Sequence, residues 1–289
     1  MTHSDELAPI SGNDAMTQHH PSDTHNATGV VLHDVHVRYG HFEAIKGMNA
    51  RLRPHVITGL LGRNGSGKST LAMAMAAQIP FRGKITLDGQ DIWENSKVMP
   101  QVALVSDSTP LYENLKITRT LALWDTVRPT FNRQLAEGLL NAWEISLTKR
   151  PNQLSRGQQS ALSAALGIAS RAPLTIFDEV HLGMDAVLRR DFYDVLLQDF
   201  IAHPRTIIIS SHNVNEIEHL IEDVWIVENG QLAAEGTADD VRSSYARLMS
   251  VDNGVPDLTS ILAHITRRVS GTEVLGQLDS QSSIPHQEA

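Results

Sequence analysis

The sequence predicts an α/β fold, and three observations carry that prediction. An apolar run at residues 56–61 enters a glycine-rich stretch, Gly62 to Thr70, and an Ala/Met-rich run at 71–79 leaves it. That order reads strand, tight loop, helix. A second apolar run, residues 174–177, ends abruptly in the paired carboxylates Asp178 and Glu179. Further short apolar runs at 102–105 and 206–210 are separated by segments with helical spacing, the pattern of strands alternating with helices.

The glycine-rich stretch, Gly62-Arg63-Asn64-Gly65-Ser66-Gly67-Lys68-Ser69-Thr70, fits G-x-x-x-x-G-K-[ST]. Its chemistry follows from its residue types. Glycines at 62, 65 and 67 let the backbone turn sharply with no side chain in the way. Successive N–H groups and the positive end of the next helix then form an anion cradle. Lys68 should reach the β- and γ-phosphates of a nucleotide, and the Ser69 hydroxyl should ligate magnesium. Paired with this loop, Asp178 would hold the hydrated magnesium and Glu179 would orient or deprotonate an attacking water. A nucleotide and Mg2+ are therefore the expected ligands.

Composition narrows the class. The chain has 289 residues, 41% of them hydrophobic, enough for a substantial core. Its formal net charge of −9 argues against a nucleic-acid partner, which usually leaves a basic stripe. With no cysteine, disulfides, thiolate chemistry and Cys-ligated zinc are excluded. No apolar run reaches the ~18 residues of a membrane span, and no basic-then-apolar N-terminus suggests a secretion signal. Any membrane role must come through a partner.

Taken in order, residues 1–28 are polar and read as a disordered tail. His3, His19, His20 and His25 lack the spacing that would aim them at a metal, so they read as solvated. Val30 to Tyr39 alternates Val31, His33, Val35 and Val37 against Leu32, Asp34, His36 and Arg38, a strand pattern. Tyr39, at its end, reads either as a strand-end packing residue or as an aromatic able to stack on a base. Residues 48–52 make a short second strand, and Pro54-His55 turns the chain toward the phosphate loop. Residues 84–87 form a strand closed by Asp88-Gly89. From about 114 to 150, Leu115, Leu121, Leu123, Leu135, Leu139 and Leu140 carry helical spacing, punctuated by Pro129 and Pro151. This predicts a helical insertion spanning about 107–170 inside the nucleotide-binding domain. Residues 186–203 read as a helix. Ser211 and His212 stand at the end of the 206–210 strand, where open parallel sheets face their ligand, so His212 is a candidate γ-phosphate contact. Residues 224–228 and 231–235, joined by Asn229-Gly230, read as a final hairpin.

The order of these motifs resembles the ATP-binding subunit of an ATP-binding cassette (ABC) transporter, over roughly residues 30–240. Tyr39 is similar to the family's adenine-stacking aromatic, residues 62–70 to Walker A, and Leu154-Ser155-Arg156-Gly157-Gln158 to the signature LSGGQ. Residues 174–178 resemble Walker B, Glu179 the catalytic glutamate, Gly183-Met184-Asp185 the loop ending in Asp, and His212 the switch histidine. The resemblance implies a phosphate-loop fold of the ABC type: a mixed sheet core, an antiparallel β subdomain and an inserted helical subdomain. It implies that the nucleotide is ATP, and it implies catalytic roles for Lys68, Glu179 and His212. It implies nucleotide contacts from Ser155, Gly157 and Gln158 on the other protomer's ATP, and magnesium contacts from Ser69, Asp178 and Asp107. Asp107 stands where the family usually has Gln, and Val180-His181 stand where it usually has Pro-Thr. The signature's first Gly is Arg156.

The implied partners are a transmembrane permease subunit and a second ATP-binding subunit, at the cytoplasmic face of the membrane. The stretch Leu111-Tyr112-Glu113-Asn114-Leu115 resembles prokaryotic exporter-type subunits. A soluble cassette protein and a regulatory subunit with little turnover are the competing classes. Residues 241–289 read as a short C-terminal extension with a helix near 258–269.

Overall fold

The structure, a computed structural model, describes residues 29–106, 113–249 and 255–266. The chain opens with an antiparallel pair, β1 (Val30–Tyr39) and β2 (Phe42–Leu52), followed by β3 (Ile57–Leu61), α1 (Lys68–Met75), β4 (Arg82–Leu87), β5 (Gln90–Asp91) and β6 (Val102–Ser106). Three helices come next: α2 (Ile117–Val127), α3 (Arg133–Ala142) and α4 (Arg156–Ser170). Then β7 (Leu174–Asp178), α5 (Ala186–Ala202), β8 (Thr206–Ser211), α6 (Val214–Ile217), β9 (Asp223–Glu228) and β10 (Gln231–Thr237) complete the sheets. Two helices, α7 (Ala238–Leu248) and α8 (Leu258–Ile265), close the described chain.

Two sheets result. One is antiparallel, in the order β2-β1-β4-β5; the other has the order β10-β9-β3-β8-β7-β6. Within the second, β3, β6, β7, β8 and β9 run parallel, and β10 pairs antiparallel with β9. This is the mixed core and antiparallel subdomain that the motif order implied. Strands β3, β7 and β8 are buried at every position, which explains their unbroken apolar sequences, since a central parallel strand is covered on both faces. The period of two sorts their side chains between two cores. Leu60, Ile176, Ile208 and Trp225 face the antiparallel sheet and α1, while Leu61, Phe177, Ile209 and Ile226 face the helices.

Helices α2 to α4 follow β6 and precede β7, where the helical insertion was expected. Helix α3 packs on α4, and two bonds at α4's end fasten the insertion: Asn132 N–H to the Ala169 carbonyl at 2.7 Å and Thr130 Oγ1 to the Ser170 carbonyl at 2.7 Å. Residues 160–170 of α4 are all buried. Gly167 permits this: a Cβ there would lie 2.5 Å from the Phe177 ring and 2.7 Å from Val105. The helix comes too close to the sheet for any larger residue.

Several expectations change in detail. The simple alternation in β1 fails because Asp34, at φ +48°, interrupts the pleat. Val30 and Leu32 are buried before it and Val35 and Val37 after it, so Leu32 belongs to the core side. A bulge shifts the facing pattern in this way. Strand β2 begins at Phe42, six residues before the expected start. Leu115 and Leu123 are exposed: Leu115 lies in the bend before α2, and Leu123 lies off the face of α2 that buries Leu121. Helix α7 crosses position 240, a stretch whose sequence gave no helix reading.

Candidate functional site

The site is built at the C-terminal end of β3, where the chain leaves the sheet through residues 62–67. Gly62, Gly65 and Gly67 have φ of +154°, +82° and +114°. At Gly62 a Cβ would also stand 2.4 Å from the Val227 carbonyl. The loop is stitched from behind: Gly230 N–H donates to the Ser66 carbonyl at 2.8 Å, and Lys46 N–H to the Gly230 carbonyl at 3.0 Å. The hairpin turn Asn229-Gly230 thus braces the loop. Lys68 opens α1 and is 5% exposed. Its amine donates to the Gly62 carbonyl at 2.8 Å and the Arg63 carbonyl at 3.2 Å, curling back over the loop.

The end of β7 lies close by because β8 lies between it and β3. Asp178 is buried, and its carboxylate accepts from the Ser210 hydroxyl on β8. Glu179 then takes a left-handed backbone, φ +48°, a conformation that costs roughly 1–2 kcal/mol for a residue with a Cβ. Two bonds hold it: its N–H donates to Ser210 Oγ at 3.0 Å and to the Ser210 carbonyl at 3.3 Å. Glu179 Oε1 stands 3.4 Å from Lys68 Nζ and 3.5 Å from His212 Nδ1. One carboxylate oxygen therefore joins the phosphate loop to the histidine beyond β8.

A cleft of about 360 Å³ opens over this cluster, lined by Tyr39, Phe42, Lys68, Ser69, Thr70 and Glu179 together with Asn64, Gly65 and Gly67 of the loop. Tyr39 and Phe42 are paired across the β1–β2 turn and are 48% and 64% exposed, so one end of the cleft offers two aromatic faces. Gly62, Arg63 and Ser66 shape the loop without lining this cleft. Asp178 and His212 join it through Ser210 and Glu179. Ser155, Gly157 and Gln158 are not among its lining residues. They form the N-terminus of α4, where Ser155 Oγ accepts from Gln158 N–H and Gln158 Oε1 accepts from Ser155 N–H, both at 3.2 Å, a reciprocal cap. Asp107 lies outside the described residues.

The donor set suits magnesium. A hydroxyl, Ser69, and a carboxylate, Asp178, are hard oxygen ligands, and magnesium is commonly bound by one or two protein groups plus phosphate oxygens. Among the described residues no cluster of three His, Cys, Asp or Glu side chains would hold a metal by protein alone. The sequence singled out neither Phe42 nor Ser210, and marked His181 only as a departure from the family pattern. Phe42 was legible as the second aromatic flanking a two-residue turn, and Ser210 as the polar interruption of Ile207-Ile208-Ile209. His181 is 2% exposed, and burial pushes its imidazole below the usual value against the opposing pull of Glu216 and Glu179.

A glycine cradle, a buried lysine and a strand-end carboxylate pair on this topology define a phosphate-loop nucleotide hydrolase domain. The sequence model of the ABC transporter family matches residues 45–181. The ABC transporter ATP-binding protein YtrB of Bacillus subtilis is 30% identical over 216 residues, which cover 74% of this chain and 74% of YtrB. A probable sulfate/thiosulfate import ATP-binding protein, CysA of Chlorella vulgaris, is 25% identical and covers 73% of this chain and 92% of its own. Among solved structures, an ATP-binding subunit of an ABC transporter superposes with a TM-score of 0.73 at 21% identity, over 83% of this chain and all of that one. A dimeric bacterial ABC transporter cassette superposes at 0.63 and 19% identity, over 72% and 98% of the respective chains. The chain belongs to the ABC transporter family of ATP-binding proteins, whose members are ATPases.

Proposed function

We propose that this chain is the ATP-binding and ATP-hydrolysing subunit of a membrane transporter of the prokaryotic exporter type, driven by closure of two such subunits around ATP. The observation that carries this reading is the shared Glu179 oxygen, 3.4 Å from Lys68 and 3.5 Å from His212. It puts a carboxylate able to take a proton beside a cation able to hold phosphate. The loop N–H groups and Lys68 bind the β- and γ-phosphates, and Tyr39 and Phe42 offer ring faces to the base. Ser69 and Asp178 would supply oxygens to magnesium, with Asp107 a third candidate; when bound, the ion would supply positive charge against the phosphates. Glu179 orients the attacking water and takes its proton. His212 donates toward the γ-phosphate from the far side of Glu179.

The α4 N-terminus, carrying Ser155, Gly157 and Gln158, stands outside this cleft. It is available to present its N–H groups to nucleotide on a second subunit. No described helix is long and apolar enough to cross a membrane, so coupling runs through a permease subunit, with this chain held peripherally at the cytoplasmic face. The exporter assignment rests on the Leu111–Leu115 stretch. Light scattering on Glu179→Gln with MgATP tests the closure: a dimer that dissociates with MgADP is expected, and a mutant that stays monomeric at saturating MgATP overturns it. Retention of the chain by detergent-solubilised membranes, together with a multi-span protein, tests the coupling.

A further inference from the structure

We propose that His181 is a positioning residue for His212, fixing the imidazole beside Glu179 by packing against it next to α6. The proposal rests on the site assignment above. His181 follows Glu179 by two positions and is 2% exposed, a polar side chain in the core. Its ring centroid lies 6.4 Å from that of His212, with the planes tilted by 31°, and 6.3 Å from that of Tyr193 on α5. Its Nε2 stands 3.7 Å from Glu216 Oε2 on α6. The same Glu216 carboxylate accepts from Asn213 Nδ2 at 2.9 Å and pairs with Arg189 Nη1 at 3.0 Å.

Asn213 is the residue after His212, and it is also held on its other side. Ser211 Oγ accepts from Asn213 N–H at 2.9 Å and donates to the Asn213 carbonyl at 3.0 Å. The path from Glu179 through His181 to Glu216, a 3.7 Å contact longer than a hydrogen bond, continues through the Asn213 bond to the residue beside His212. That matters because His212 is 42% exposed at its side chain, and a half-exposed imidazole samples several rotamers unless its surroundings choose one. A misplacement of about 1 Å at a reacting group can cost ~10²-fold in rate. The residue types also fit the task. Burial disfavours the imidazolium at position 181, so the ring stays neutral beside two carboxylates, and a flat ring can face both His212 and Tyr193.

The test is turnover and nucleotide affinity of the full chain for His181→Leu, His181→Gln and Glu216→Gln, each alone and combined with His212→Ala. Gln carries an N–H at about the reach of Nε2, and Leu does not. The expected result is a tenfold or greater fall in kcat for His181→Leu, with MgATP affinity within about twofold and His181→Gln close to wild type. In the His212→Ala background, Leu and Gln at 181 should be indistinguishable. Wild-type kcat in His181→Leu, or an undiminished further loss in the His212→Ala background, overturns the proposal. Should His181→Leu fail to fold, Glu216→Gln carries the same comparison at the other end of the path. Loss of folded structure in both, by circular dichroism, would make His181 a core residue and also overturn it. Full activity in His212→Ala alone would instead refute the site assignment.

Discussion

Lys68 Nζ and Glu179 Oε1 are 3.4 Å apart, with the lysine 5% and the glutamate 18% exposed at their side chains. The pairing makes Glu179 a competitor of phosphate for the amine that binds it. Glu179→Gln removes the competing charge and the proton acceptor together. Hydrolysis should fall by the ~10²–10⁴ of a lost general base, while MgATP binds as tightly as to wild type or more tightly. Lys68→Ala should do the reverse, abolishing tight binding and leaving Glu179 without its cation. Calorimetric titration of both variants separates the effects. Weaker nucleotide binding in Glu179→Gln would contradict competition at Lys68.

Gly157 allows a close approach that no other residue permits. A Cβ there would lie 2.6 Å from the Gly183 carbonyl, and Gly183 itself has φ +87°. The neighbour is backbone and cannot swing aside. Gly157→Ala should displace the loop that leads to Asp185, whose carboxylate caps α5 through Val187 and Leu188 N–H at 3.0 and 2.9 Å. Overpacking of this kind costs roughly 1–3 kcal/mol, so a Tm lower by several degrees is expected. MgATP affinity of the single subunit should hold within about twofold while turnover is lost, because residue 157 does not line the cleft. A parallel loss of affinity would place α4 at its own nucleotide.

Stability should fall on acidification, in part through His181. Burial holds its pKa below the ordinary 6.5, opposed by Glu216 and Glu179 and aided by His212 and Arg189. At higher pH neither folded nor unfolded chain carries the charge. As pH drops through the ordinary value, the unfolded chain takes a proton that the folded chain refuses, so stability falls until the depressed folded pKa is reached. The slope from one such group is at most about 1.4 kcal/mol per pH unit. His36, raised by its bonds to Glu43 and Asp34, has the opposite sign, contributing below its unfolded pKa and losing that contribution as pH rises through the folded one. His181→Gln should therefore flatten the decline in Tm between about pH 7 and pH 5. An equally steep decline in the variant would assign the acid sensitivity elsewhere.

The fold was legible where local pattern and burial agree. Strands β3, β7 and β8 are covered on both faces, so their apolar runs could be read directly. The phosphate loop was legible because its glycines answer a backbone requirement: a side chain at Gly62 would meet the Val227 carbonyl. What escaped depends on contacts between distant segments. The bulge at Asp34 shifts the pleat through a backbone torsion that alternation does not encode. His181 looks like a loop residue in sequence and becomes a core residue only when α5 and α6 close over it. Ser210 gains its role by lying beside Asp178 in the next strand, a register that the sequence of β8 alone does not state.

The C-terminal helix yields the remaining prediction. Helix α8 buries Leu258 and Ile261 completely and Leu262 nearly so, packing against α6 and α7. Its first turn is capped by Asp257, which accepts from Ser260 N–H at 2.6 Å, and Thr259 Oγ1 bonds Asn215 Oδ1 at 2.9 Å. At its far end the Thr266 carbonyl accepts from Arg63 Nη1 at 3.4 Å. One helix thus touches both the segment after His212 and the phosphate loop. The energies are unequal. A large-to-small change at a fully buried aliphatic costs about 2–5 kcal/mol, whereas one long bond from Arg63 contributes roughly 1 kcal/mol or less. Ile261→Ala should therefore lower the Tm by several degrees and Arg63→Ala by little. If docking of α8 orders the His212 segment, ending the chain at residue 249 should lower kcat more than it raises KM, because Lys68 and the loop glycines remain. Thermal melts and steady-state kinetics on the three variants test this ranking. An unchanged Tm in Ile261→Ala would show that the helix does not hold this position, and a selective rise in KM on truncation would move its influence from His212 to Arg63.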